Sequence, residues 1–266
     1  MEEWVVPMTG DGPDTGISAS GSPENENPVI SYDSWYRLWQ DFEQQVADIV
    51  AESGAVAVGE LGGGANPTLG LADMVGRPLE LTVLDVSPSE LERAPSQVQT
   101  LCVDLCADDP PVRDRFDLVF SRMLCEHVPS GRTFHRNCLA ALRPGGYAVH
   151  FLPSATALPF ALNRILPSSA SRRLLEHFFP ARRQGGNHGK FPARYSWCFG
   201  PTAAQLRRFR SVGFEVVSCR VGIGHGYYDR IPPLRALERA KSALVLKHPS
   251  PWLAAYVIVV LRRPEH

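Results

Sequence analysis

The sequence predicts an α/β protein built on a doubly wound, largely parallel sheet, and three observations carry the prediction. Short β-type runs alternate with helix-type stretches from Val56 to Leu152. A glycine triplet follows the first run directly, in VAVGELGGGANPTLGLADM (Val56–Met74). Acidic residues close the second and third runs, in LTVLD and LCVDL.

The chain as a whole sets the frame. Its 266 residues, 44% hydrophobic and 21% charged, suit one folded domain with a substantial core. A formal net charge of -1 leaves no basic excess to meet a phosphate backbone, which argues for a small-molecule partner and against nucleic acid. The six cysteines lie scattered in apolar segments without CxxC pairs, the pattern of structural thiols, so no metal site is expected. Glu2 and Glu3 stand where a secretory signal needs positive charge, and no apolar run reaches about 18 residues. A cytoplasmic protein without a membrane partner is the expectation, and the oligomeric state is open.

Residues 1–30 are rich in Gly, Ser, Pro, Asp, Glu and Asn and read as a disordered N-terminal tail, which leaves 31–266 as the domain. From Ser31, Tyr32, Trp35, Tyr36, Trp39 and Phe42 recur at helical spacing, with Val46, Ile49 and Val50 extending the face to a stop at Ser53-Gly54. Strands are predicted at Val56–Leu61, Leu79–Leu84, Val98–Val103, Phe116–Ser121 and Tyr147–Leu152. Helices fall around Pro67–Val75, Ser87–Ala94 and Gly131–Leu142. LRPGG (Leu142–Gly146) places Pro and Gly where a type II turn needs them. Later come a helix at Pro201–Val212 and β runs at Phe214–Val221 and Trp252–Leu261. The irregular stretch 153–200 reads as a substrate-side lid insertion.

In such a sheet ligands lie outside the carboxyl ends of the strands, where glycines let the backbone approach them. Gly62 and Gly64 would supply positive φ, and the helix starting near Pro67 would aim its amides at the ligand; an ordinary tight turn is the alternative. A dinucleotide GxGxxG beginning at Gly62 would need glycine at 67, where Pro67 stands, so a nicotinamide cofactor is disfavoured. Asp85, about 20 residues beyond the glycines, sits where a carboxylate accepts both hydroxyls of a ribose. Asp104 follows at the third strand's end, placed to accept from an adenine amino group, and FDLVFSRMLCEHV carries the fourth strand and its exit.

Taken in this order, Glu60, the GxG, Asp85, Asp104 and the Glu126-His127 pair resemble the class I S-adenosylmethionine-dependent methyltransferases, in the small-molecule branch with an EH pair after the fourth strand. The resemblance implies a Rossmann-like, doubly wound sheet of seven strands in the order 3-2-1-4-5-7-6 with the last antiparallel. It implies S-adenosyl-L-methionine as cofactor, with Glu60 and the Gly62, Gly63 and Gly64 backbone at the methionine portion. Asp85 and Val86 would hold the ribose end, Asp104 and Leu105 the adenine, and Ser121 and Arg122 the surroundings of the methyl group. The aromatic first helix resembles the family's cap, with Tyr36 or Tyr32 near the cofactor carboxylate. Asn66 replaces the last glycine of the loop and is a residue that visits the left-handed region readily.

The resemblance implies methyl transfer to an oxygen or nitrogen of a small molecule, in specialised (natural-product) metabolism given the large substrate-side insertions. A hydroxyl or protonated amine needs a base, and the candidates are His127, His150, Tyr195, His225 and Tyr228, with His188, Trp197 and Tyr227 nearby in sequence. His127 can instead serve its loop structurally, and His150 can face either the pocket or the core. The pairs Arg172-Arg173 and Arg182-Arg183 read as solvated surface or as contacts to an anionic substrate. Two readings compete with methylation: a non-methylating enzyme that uses the same cofactor pocket for hydrolysis, elimination or cyclisation, and a binding protein that has lost turnover.

Overall fold

The computed structural model describes residues 28–157, 160–161, 193–229 and 231–266. Eight strands form one sheet: β1 (Val29–Ser34), β2 (Ala57–Leu61), β3 (Glu80–Asp85), β4 (Gln99–Cys102), β5 (Phe116–Arg122), β6 (Leu142–Pro153), β7 (Glu215–Ile223) and β8 (Tyr256–Arg262). Their spatial order is β1-β7-β8-β6-β5-β2-β3-β4. Read from β4, this is the expected seven-stranded order with one added strand at the far edge. β8 runs antiparallel to both β6 and β7, and every other neighbouring pair is parallel. Seven strands therefore end at the same edge of the sheet.

The added strand corrects two expectations. Val29 and Ile30, assigned to the tail, and Tyr32, assigned to the first helix, lie in β1, which pairs with β7 from Val29↔Ser218 to Ser34↔Ile223. Helix α1 spans Trp35–Ser53, capped by the Ser34 side chain at its start and by left-handed Gly54 at its end. Aromatic spacing alone placed its start four residues early, because a strand running straight into a helix leaves no break in the apolar pattern. Most of the tail, 1–27, lies outside the described residues, as do His188 and all four arginines of the two pairs.

The remaining elements fall close to expectation, with shorter helices. They are α2 (Leu71–Val75), α3 (Pro88–Leu91), α4 (Gly131–Ala141) and α5 (Ala203–Ser211). The expected type II geometry around LRPGG merges into β6: Gly145 takes φ +79° and its amide donates to Arg263 O at 3.0 Å. A further helix, α6 (Pro232–Lys247), was not anticipated. It buries only Val245 fully, so its apolar period is too weak to stand out in the sequence. No helix among the described residues is long and apolar enough to cross a membrane.

Alternation along β6 divides the core into two layers. Phe151 faces α1, where Phe42 stacks on it at 5.5 Å and Leu38, Val46 and Val50 complete the buried stripe. His150 faces the opposite layer, against Phe134 of α4 at 5.6 Å. In that layer His135 and His150 meet edge to face at 5.2 Å, both without solvent exposure. The Nδ1–H of His135 donates to Gly131 O at 2.7 Å, and Nδ1 of His150 lies 2.8 Å from Ser121 Oγ. Neither Nε2 has a hydrogen-bond partner. Burial lowers the pKa of both imidazoles, to about 4 for His135, so the core is built for the neutral forms.

A depressed folded-state pKa gives stability that is present above the unfolded value and is lost as pH falls. His135 therefore contributes roughly 3 kcal/mol that disappears between the ordinary imidazole value of 6.5 and about 4. Urea denaturation of the wild type and of His135→Phe across this window should isolate the loss, as a stability difference between the two that moves in favour of the variant as pH falls.

Candidate functional site

The parallel strands end at one edge of the sheet, where folds of this kind carry their ligand crevice, and β2 lies between β5 and β3 there. Glu60 is buried near the carboxyl end of β2, with Oε2 accepting from the Thr68 amide at 2.8 Å and Oε1 from the Thr68 hydroxyl at 3.1 Å. Burial raises the Glu60 pKa against the opposing pull of these two bonds. The Thr68 amide is thus used inside the loop, and α2 begins only at Leu71, so the expected amide-bearing helix start at Pro67 is absent.

Gly62 and Gly64 adopt φ +73° and +49°, as the loop was expected to need. At Gly62 a Cβ would meet Leu124 at 2.8 Å; at Gly64 it would stand 3.2 Å from both Asp85 Oδ2 and Glu90. Asn66 is not among the residues with positive φ; its amide donates to Gly63 O at 3.0 Å, closing the turn in an ordinary conformation. The expected left-handed Asn66 is therefore replaced by a loop that completes its reversal at Gly64.

Asp85 ends β3 with Oδ1 accepting from the Ser87 amide at 2.9 Å, which leaves Oδ2 on the side of the glycine loop. Val86 beside it is exposed, an apolar side chain facing water at the rim. Asp104 is exposed and caps its own turn through the Cys106 amide at 2.7 Å, while Leu105 is buried. Asn137 of α4 donates to Leu105 O and Ala107 O at 2.9 and 2.8 Å, pinning that turn from beneath.

At the exit of β5 the expected pair separates. Ser121 is fully buried and bonded to His150, so its hydroxyl belongs to the core and does not border the crevice. Arg122 points the other way, 2.9 Å from Glu43 and over the Trp39 ring at 5.6 Å, and ties α1 across the sheet edge. Met123 follows with φ +55°, uncommon for a non-glycine residue and held by its amide bond to Phe151 O. Tyr36, near the start of α1, is half-buried and accepts from Gln40 at 3.0 Å.

The base candidates also separate. His150 and Tyr195 are core residues, Tyr195 lying 6.1 Å from the Phe160 ring. Tyr195 and Trp197 both hold positive φ, locked in place where the Arg194 and Tyr195 amides donate to Glu126 O. These segments flank the expected lid, whose residues 158–159 and 162–192 lie outside the described residues. The described residues on either side of that stretch are joined by the Ala155 amide donating to Cys198 O at 2.8 Å. His127 is part-exposed, 3.8 Å from Glu126. His225, by contrast, lies just beyond β7 at the crevice edge, buried, with the Tyr228 ring 4.6 Å away. The six cysteines are unpaired, four of them buried.

Two acids of this region escaped the sequence reading as working groups. Glu126 of the EH pair is buried with Oε2 lacking a hydrogen-bond partner, and burial lifts its pKa to about 7. Glu238 of α6 lies against His225; one turn-spaced face of that helix, Arg235, Glu238, Ser242 and Val245, was the available signal.

Residues 60–150 match the family model described as a methyltransferase domain. Among solved structures, the fold is similar to that of the [4+2]-cyclase SpnF, with 19% identity, coverage of 88% of this chain and 84% of that one, and a TM-score of 0.52. It is also similar to a protein assigned as a sarcosine dimethylglycine methyltransferase from Galdieria sulphuraria, with 11% identity, coverage of 86% and 88%, and a TM-score of 0.51. No curated protein matches the sequence. Residues 60–150 thus resemble a methyltransferase domain, and the sheet order around them is the fold these solved structures share.

Glu126 gives a pH test. A raised folded-state pKa contributes stability that is full below the unfolded value and lost as pH rises through about 7. Glu126→Gln mimics the protonated form. It should match the wild type near pH 4.5 and exceed it above pH 7 by up to roughly 3 kcal/mol, read as a thermal-melt difference at the two pH values.

Proposed function

We propose that the protein transfers the methyl group of S-adenosylmethionine to an oxygen or nitrogen of a small molecule. The observation that carries this reading is Asp85 at the end of β3, its free carboxylate oxygen facing the Gly64 backbone across the crevice mouth. A carboxylate beside bare backbone suits a ribose diol, and exposed Val86 offers an apolar contact for the nucleoside. Asp104 keeps one carboxylate oxygen for an exocyclic amine, since the other serves the Cys106 amide. Glu60 supports the methionine end through the loop it braces, and the Gly62–Gly64 backbone lines it. Tyr36 and Arg122 would border the same crevice from α1 and β5.

When bound, the cofactor supplies an electrophilic methyl group open to in-line displacement, a reaction that gains from positioning and from exclusion of water. The acceptor half lies over the exits of β6 and β7. Its wall is aromatic: Trp35 stands 6.1 Å from Tyr256, and Phe160 lies 5.4 Å from Tyr256 and 5.6 Å from Tyr227. Such a wall favours an apolar or planar acceptor, which supports a role in specialised metabolism. The net charge of -1 supports a small substrate over nucleic acid, and the free thiols support the cytoplasm.

The likeness to SpnF, named as a cyclase, favours a second reading: cofactor-dependent catalysis without methyl transfer. Incubation with methyl-labelled cofactor and a panel of phenols, alcohols and amines separates the two, since label in the product supports transfer and cofactor-dependent product without label supports the second reading. For the pocket itself, Asp85→Ala should weaken S-adenosylhomocysteine binding about 10- to 100-fold by calorimetry, the loss of one or two hydrogen bonds to a charged acceptor. Asp108→Ala, on the surface beyond Asp104, should leave the affinity unchanged.

A further inference from the structure

We propose that His225 is the general base of the transfer and that Glu238, reaching it from α6, holds it in the working tautomer; the assignment rests on the methyl-transfer reading above. His225 lies two residues beyond β7, at the carboxyl edge shared with the glycine loop. Its turn abuts the N-terminus of α1: a Cβ on Gly226 would stand 3.1 Å from the Trp35 ring. The ring is buried, with 4% of the residue exposed.

Nε2 of His225 lies 3.6 Å from Glu238 Oε1, an ion-pair distance longer than a hydrogen bond, as catalytic contacts often are before a substrate tightens them. A carboxylate on Nε2 favours the proton there and leaves the lone pair on Nδ1. Nδ1 is buried without a hydrogen-bond partner. A buried acceptor lacking a donor is unfavourable, and the hydroxyl of a bound acceptor is the donor that would satisfy it. Among the other candidates, Nδ1 of His150 is bonded within the core and Tyr195 packs there; His127 faces Glu126 at 3.8 Å in a similar way, but its side chain is a third exposed, where that of His225 is buried.

The surrounding charges suit a base that is neutral at rest. Burial lowers the His225 pKa first and foremost, Glu238 raises it, Lys241 lowers it, and the residue's own backbone raises it again. Lys241 Nζ sits 2.6 Å from the same Glu238 oxygen that faces the ring. Tyr227, Tyr228 and Asp229 approach from the turn itself, and Arg235 and Arg239 of α6 act on Asp229. α1 presents the uncharged Trp35. In the step, Nδ1 of His225 takes the hydroxyl proton as the oxygen–carbon bond forms and the carbon–sulfur bond breaks, the bonding pair leaving on sulfur. Glu238 then faces an imidazolium and stabilises it.

Nitrogen NMR of the ¹⁵N-histidine-labelled full chain reads the tautomer without any turnover, with His225→Gln assigning the signal. The proposal expects an Nε2–H tautomer whose titration midpoint falls in Glu238→Gln and rises in Lys241→Met. A proton on Nδ1, or a midpoint unmoved by Glu238→Gln, overturns it. Kinetics with phenols and thiophenols provides the second arm, because a thiophenol is already ionised at neutral pH and needs no base. His225→Gln should slow phenol methylation at least about 100-fold while changing thiophenol methylation less than about threefold. Glu238→Gln should slow phenols about 10-fold and move the acid limb of the rate profile to lower pH. Phenol transfer that survives His225→Gln overturns the base alone. A wild type that binds S-adenosylhomocysteine yet methylates no phenol, thiophenol, alcohol or amine of the panel overturns the transfer reading, and the base with it. Unchanged S-adenosylhomocysteine affinity in each variant shows that the fold is intact.

Discussion

Parallel pairing is the constraint on which the site depends. A parallel strand must be re-entered from the far side, so each crossover leaves its strand at the same edge. Seven strands share that polarity and β8, inserted between β6 and β7, absorbs the only reversal among the described residues. Residues far apart in the chain, from Asp85 to His225, therefore reach one crevice edge without any direct interaction to bring them together.

The edge divides into two halves with different chemistry. The exits of β2, β3 and β4 present bare backbone and carboxylates, with few large side chains between them. The exits of β6 and β7 present aromatic rings and a single buried imidazole facing a carboxylate. Between them, Arg122 bonds Glu43 of α1 and holds the helix over the junction. The strand β1 sets where that helix begins, since Ser34 is both the last residue paired with β7 and the N-cap of α1.

Behind the crevice, polar side chains occupy a layer that apolar residues would fill more cheaply. Ser121, His150 and His135 form a connected strip beneath the exit of β5, and Glu126 adds a buried carboxyl at the next turn. Burial favours the neutral forms of His135, His150 and Glu126, and their pH dependences oppose one another, the histidines favouring higher pH and Glu126 lower.

The sequence by itself determined the alternation of strands and helices, the glycine loop and the acids at the ends of β2 and β3, because these signals are local: periodicity, a positive φ, a carboxylate at a strand end. It also carried the order of seven strands through the resemblance that those motifs support. Tertiary structure alone decided which face each side chain takes. Ser121 and Arg122 are neighbours, yet one is sealed in the core and the other reaches α1, since successive strand residues point to opposite faces and only packing says which face is buried. The partnership of His225 with Glu238 was equally out of reach, because it joins a strand exit to a weakly amphipathic helix whose docking no spacing in either segment reveals.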